Sequence, residues 1–287
     1  MKDKNGIILY KGPSVIDGKY IMVLASGIFD KSDNEKTGNM IQTWIMRADH
    51  APIEAKQRGF DYSVCGDCKH KHFGSCYVNI AHGPHNTFYA YIRDKYIPFE
   101  EKHLELFKGR KVRLGSYGDP AAVPTEVWAK ICSVTDGWTG YTHQWNKRFT
   151  DPELKNYCMA SCDNTAEYRK AKDLGWRCFR IRPSDDFHIS TNRLNYNEFV
   201  CPASNEAGNK TNCSKCKACM GLSASTYKDP CIIVHGLQSK IDKFAWGMQR
   251  IAWKEKYRKN FYYPLPKKKK RRKKKRSHQS EKNLVLS

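Results

Sequence analysis

The chain has 287 residues, 40% of them apolar and 12% aromatic, and a formal net charge of +22. That length buries a real core in one large domain or two small ones, and the lack of any run of about 18 apolar residues excludes a transmembrane helix. The start, MKDKNGIILYKGPSV, carries too short an apolar stretch for a secretory signal, so a cytoplasmic protein is expected, with its twelve cysteines kept as thiols and some of them binding metal.

Residues 1–60 read as strands and turns. KYIMVLASGIF and MIQTWIMRA are β-branched, aromatic runs separated by the polar loop DKSDNEKTGN. The cysteine-rich loop CGDCKHKHFGSCYVN follows. FEEKHLELFKG has a helical pattern with Leu104, Leu106 and Phe107 and a stop at Gly109. RKVRLGSYGDP is a strand ending in a Gly/Asp/Pro turn, and PTEVWAKICSVT is a helix with Thr125 as N-cap. WTGYTHQW and NYCMASCD are strands, NTAEYRKAKDLGW is a helix closed near Gly175, and RCFRIRPSD, EFVCPAS and PCIIVHG are strands. The last helix, from Leu237, carries the apolar stripe Ile241, Phe244, Met248 and Ile251.

Strand and helix recurring in this way predict an α/β fold of parallel units in a partial (β/α) barrel, over residues 40–236. A β-rich segment (1–39) precedes it; a C-terminal amphipathic helix (237–266) and a disordered basic tail (267–287) follow. Such folds gather functional loops at the C-terminal ends of the strands. That rule collects Gly118–Asp119–Pro120, His143–Gln144, Ser161–Cys162–Asp163, Arg182 with the turn after it, and the Cys201 loop on one face.

Two cysteine sets carry metal chemistry. Cys213, Cys216 and Cys219 stand in a C-x2-C-x2-C run, and Cys201 precedes Pro202. Closely spaced thiolates of this kind hold iron–sulfur clusters; four thiolates also suit a structural zinc. The other set is Cys65, Cys68 and Cys76, with His70, His72, His82 and His85 near it. Three thiols can hold three irons of a cluster and leave the fourth open, or bind zinc with one histidine. A crossed site of Cys65 and Cys68 with Cys213 and Cys216 is a further arrangement. Lone histidines in such a loop are more often solvated than ligating. The remaining Cys132, Cys158, Cys162, Cys178 and Cys231 read as packed thiols.

A barrel with a three-cysteine loop after an early strand and a glycine turn after the next, here LGSYGDP, resembles the radical S-adenosylmethionine enzymes. The whole chain is also similar to a bacteriophage-encoded cysteine-rich family, which places it in the host cytoplasm. The first resemblance implies a cluster on Cys65, Cys68 and Cys76, S-adenosylmethionine as cofactor, and Gly115, Gly118 and Asp119 at the cofactor end of the pocket. His143, Ser161, Asp163 and Arg182 would then be substrate contacts.

The tail contains ten consecutive cations: Lys267, Lys268, Lys269, Lys270, Arg271, Arg272, Lys273, Lys274, Lys275 and Arg276. Residues 267–287 carry +10 of the net charge, so the rest of the chain is basic as well. A run that repels itself and buries nothing stays unfolded, and attachment to nucleic acid is its simplest use. Two functions follow: an iron–sulfur, radical-SAM-like enzyme acting on nucleic acid or nucleotide, or a non-enzymatic, zinc-stabilised nucleic-acid-binding protein of phage replication or transcription.

Overall fold

The apolar runs become strands because they are β-branched and bounded by turn residues. The structure is a computed structural model that describes residues 3–30, 37–183 and 194–260, with side chains to residue 254. The strands are β1 (Gly6–Pro13), β2 (Tyr20–Ser26), β3 (Met40–Arg47), β4 (Tyr96–Pro98), β5 (Lys111–Tyr117), β6 (Gly137–Thr142), β7 (Met159–Cys162), β8 (Cys178–Arg182), β9 (Glu198–Val200) and β10 (Asp229–Ile233). The helices are α1 (Pro52–Gln57), α2 (Tyr62–Cys65), α3 (Lys69–Phe73), α4 (Gly83–Ile92), α5 (Thr125–Cys132), α6 (Thr165–Asp173), α7 (Cys213–Cys216) and α8 (Gln238–Asn260). The chain divides into two units, Met1–Gln249 and Arg250–Ser287, and the boundary falls within α8.

All ten strands join one sheet in the order β4-β1-β2-β3-β5-β6-β7-β8-β10-β9. From β3 through β5, β6, β7 and β8 to β10 the strands follow chain order and run parallel. β2 joins this array antiparallel to β3, and β1 lies antiparallel to β2, so the strands of residues 6–26 extend the same sheet. The order is linear, with β4 and β9 at its two edges.

Alternation along the strands separates two faces. On β8, Cys178, Arg180 and Arg182 are buried while Phe179 and Ile181 are half-buried, and β5 alternates the same way. The Cys178 thiol points to the Tyr168 carbonyl of α6, so the buried set faces the helices. Tyr141 and Phe179 meet edge to face at 4.9 Å on the opposite side. That face is partly open.

Two local expectations are corrected. FEEKHLELFKG forms a 3-10 helix over Glu101–Phe107, at whose start Glu100 and His103 cap one another reciprocally. Thr125 does not cap α5; Pro124 occupies the cap position, without a side-chain bond. On α8, Phe244 and Met248 are buried as the stripe requires. Lys267 to Arg276, and the Ser184–Asp185 turn after Arg182, lie outside the described residues. Among the described residues no helix is long and apolar enough to cross a membrane.

Candidate functional site

The chain between β3 and β4 winds over the C-terminal ends of the strands. It is fastened there through its backbone carbonyls: the Asp119 amide donates to the Val64 carbonyl at 2.6 Å, and the Gln144 side chain, through Nε2, to the Cys65 carbonyl at 3.0 Å. These bonds set Cys65 beside the turn after β5 and the end of β6. Cys65, Cys68 and Cys76 lie within electrostatic reach of one another. Burial pushes the Cys65 thiol well up, and Cys68, Asp61, Cys76 and Asp119 push it further.

Cys68 differs from its neighbours because it faces His143. Burial opposes its thiolate, but the charge and hydrogen bond of His143, helped by His70, hold it down at about 7. Burial likewise opposes charge on His143, yet Cys68, Asp163 and Asp119 hold it up at about 9. The thiolate's contribution to stability is complete above its unfolded value near 8.5 and is lost as pH falls through about 7. The imidazolium's contribution is complete below about 6.5 and is lost as pH rises through about 9. The charged pair therefore spans about pH 7 to 9. In metal-free protein, alkylation of Cys68 is expected to stay fast down to about pH 7 while Cys65 and Cys76 react only at higher pH. Mass spectrometry of each cysteine's labelling against pH checks this, and equal profiles would overturn it.

A charged network continues from this pair. The His70 and His143 rings meet edge to face at 5.1 Å, and His70 stacks on Phe244 of α8 at 5.8 Å. His70 Nδ1 contacts Ser75 Oγ, and its Nε2 lies 2.9 Å from Asp163 Oδ2. Lys69 Nζ lies 2.8 Å from the same oxygen and also pairs with Glu167. Glu167 is the third residue of α6; it accepts from the Asp163 amide while Asn164 accepts from the Glu167 amide. Asn164 is thus the N-cap of α6, while Glu167 reaches one residue further back to the Asp163 amide.

The glycine turn after β5 lies against the same loop. Gly115 and Gly118 have φ of +68° and +81°. A Cβ at Gly118 would meet the Ile45 carbonyl oxygen at 2.7 Å, so glycine is needed there for close backbone approach. Asp119 is buried, and its two carboxylate oxygens accept from the amides of Ala121 and His143. It braces β5 to β6. Ser161 is buried on β7, and its carbonyl accepts from Trp145 Nε1 at 3.1 Å. Arg182 stands apart from these, paired with Glu206 and beside Cys231. Of the nearby histidines, only His70 is buried; His72 and His82 are exposed.

The second set assembles elsewhere. Cys201, Cys213 and Cys216 are the cysteine neighbours of Cys219, whose thiol also bonds Tyr141 and is pushed up mainly by burial. The Cys219 carbonyl accepts from the Gly140 amide, in the middle of β6. Lys217 and Met220 pack against Gly137 at the start of β6, and Asn212 and Ser214 against Gly38 before β3. The triplet thus sits toward the N-terminal ends of the strands, away from Asp119 and His143. The cysteines that act on Cys65 and Cys76 belong to the first set, and those that act on Cys219 belong to the second. None of the twelve cysteines is in a disulfide, and Cys132, Cys158, Cys162, Cys178 and Cys231 are buried.

By donor type, three thiols suit a soft, thiophilic centre, and four suit a closed one. The Tyr117 hydroxyl, near Cys65 and Cys76, and Gln144 Oε1 are buried without hydrogen-bond partners. Among the described residues no group of three or more His, Cys, Asp or Glu side chains is arranged to hold a metal ion. No protein family, curated protein or solved structure matches the chain.

Proposed function

We propose that the chain is an iron–sulfur, radical-SAM-like enzyme of the partial-barrel type, acting on a nucleic acid or nucleotide. The observation that carries this reading is the gathering of Cys65, Cys68 and Cys76 at the C-terminal ends of parallel strands, against the Gly118–Asp119–Pro120 turn. The strands from β3 to β10 run in chain order, as winding in one direction requires. The three thiols would hold the cluster, leaving one position for S-adenosylmethionine; when bound, that pair supplies one-electron cleavage to a carbon radical. The protein's part is to exclude water, with Phe244 and Trp145 packed nearby, and to fix the loop through Lys69, His70 and Asp163. The net charge of +22 supports an anionic partner.

A second reading has a zinc-stabilised nucleic-acid-binding protein, with Cys201, Cys213, Cys216 and Cys219 as the site. The bond from Tyr141 to Cys219 and the Gly140 amide on its carbonyl favour that set as a structural staple. One purification decides between them. The protein is isolated without oxygen, and iron, sulfide, zinc and the visible spectrum are measured for native, Cys68→Ser and Cys213→Ser chains. Brown protein whose iron and sulfide fall in Cys68→Ser supports the enzyme. Colourless protein whose zinc falls only in Cys213→Ser overturns it in favour of the second reading.

A further inference from the structure

Arg113 projects from β5 onto the half-open face of the sheet, between the two thiol sets. Its guanidinium donates to the Tyr77 hydroxyl at 2.5 Å and stands 5.9 Å from the centre of that ring. Tyr77 follows Cys76 of the first set, while Cys213 of the second is a charge neighbour of Arg113. Tyr141 lies beside it and meets Phe179 edge to face. Among the described residues no carboxylate comes within ion-pair distance of Arg113, whereas Arg47, Arg180 and Arg182 each have one. A half-buried guanidinium with donors to spare and aromatic walls is matched to a planar ligand carrying an anion.

We propose that Arg113 receives the anionic group of the substrate and that the Tyr141–Phe179 corner packs against its ring, making the substrate a nucleotide, free or as a unit of a chain. The proposal rests on reading this sheet face as the reaction chamber. It does not depend on which metal the thiols hold. An Arg fork can engage two phosphate oxygens at once, which a lysine ammonium cannot reproduce. The aromatic corner accepts any base, because every base has a stacking face.

The full-length protein, purified without oxygen, is titrated by calorimetry with AMP, GMP, CMP and UMP and with the matching nucleosides. High salt screens the basic tail. At least one mononucleotide is expected to bind saturably, with its nucleoside weaker by about tenfold or more. Arg113→Gln is expected to lose about tenfold in mononucleotide affinity while leaving nucleoside affinity and metal content unchanged. If Arg113→Gln does not fold, Arg113→Lys carries the same comparison and is expected to lose part of the affinity. Competition by a 5′-phosphorylated single-stranded oligonucleotide assigns the site to the end of a chain; failure to compete assigns it to the free nucleotide. The proposal is overturned if no mononucleotide saturates, if nucleosides bind equally well, or if Arg113→Gln binds like the native chain. It is also overturned if Arg113→Gln sheds metal, since the arginine would then be a counter-ion of the thiolates. Zinc without iron, together with Arg113-dependent mononucleotide binding, would keep this proposal and remove the iron–sulfur reading.

Discussion

Replacing Asp163 by asparagine is expected to cost about 3–5 kcal/mol and to free the loop that carries Cys68 and Cys76. The carboxylate is 1% exposed, and one of its oxygens takes both Lys69 Nζ at 2.8 Å and His70 Nε2 at 2.9 Å. Burial by itself would favour the neutral acid. His70, Lys69 and His143 overcome it and hold the group well below the ordinary carboxylate range. The sign of the linkage follows: a depressed folded value contributes stability that is complete above the unfolded value of about 3.9 and is lost as pH falls toward the folded one. The gap between native and Asp163→Asn chains in urea should therefore be constant above about pH 5 and shrink in acid. Adding Lys69→Met should recover part of the loss by removing a largely buried ammonium that has lost one of its two carboxylate partners. Faster alkylation of Cys68 and Cys76 in Asp163→Asn would report the freed loop. An unchanged urea midpoint would show that the network contributes nothing to stability.

Glu198→Gln should be comparably damaging, at about 3–5 kcal/mol, and for a related reason. Arg180 and Glu198 side chains have no exposed surface, and they pair in parallel, Nε to Oε1 at 2.6 Å and Nη2 to Oε2 at 2.7 Å. Asn195 adds its amide and side-chain donors to Oε2 at 2.7 and 2.8 Å. The substitution takes the Glu198 charge away from a guanidinium with no exposed surface. Arg180→Leu combined with Glu198→Leu is expected to be much closer to native than either single change, because the desolvation cost leaves with both charges. A double-mutant cycle in urea measures the coupling; additive single effects would mean the pair is not coupled. β9 is an edge strand of three residues, and Cys201 follows it directly. Loss of the pair should therefore also loosen the four-thiol set.

The strands from MIQTWIMRA to PCIIVHG were legible because parallel strands covered by helices are rich in apolar and β-branched residues and their turns are marked by glycine, aspartate and proline. The two cysteine sets were legible because their members lie close in sequence: three near Cys68, and three near Cys216 with Cys201 a short way before them. Their surroundings were not. His143 reaches Cys68, Tyr141 reaches Cys219, and Asp163 holds Lys69 and His70 only once distant strands lie side by side. A solvated histidine was the better expectation for His70; burial against Phe244 comes from a helix far along the chain. The short strand β4 carries no periodic signal, and it forms because Gly6 to Ile8 offer it an edge. The place of the Cys213–Cys219 segment, against the starts of β3 and β6, likewise depends on contacts that no local pattern records.

β6 lies between two strands: Gly137–Gly140 register with β5 on one edge, while only Tyr141 and Thr142 register with β7 on the other. Just before that short ladder with β7 begins, the Gly140 amide is satisfied by Cys219, and Arg177 reaches the carbonyls of Ala218 and Gly221 nearby. During synthesis the first strands leave the ribosome long before residue 219 exists. The middle of the sheet must then wait, with an unclosed gap, for a late segment to arrive. Chains truncated before the thiol triplet should stall at that gap, and any ion the four sulfurs capture would act as the latch that ends the wait.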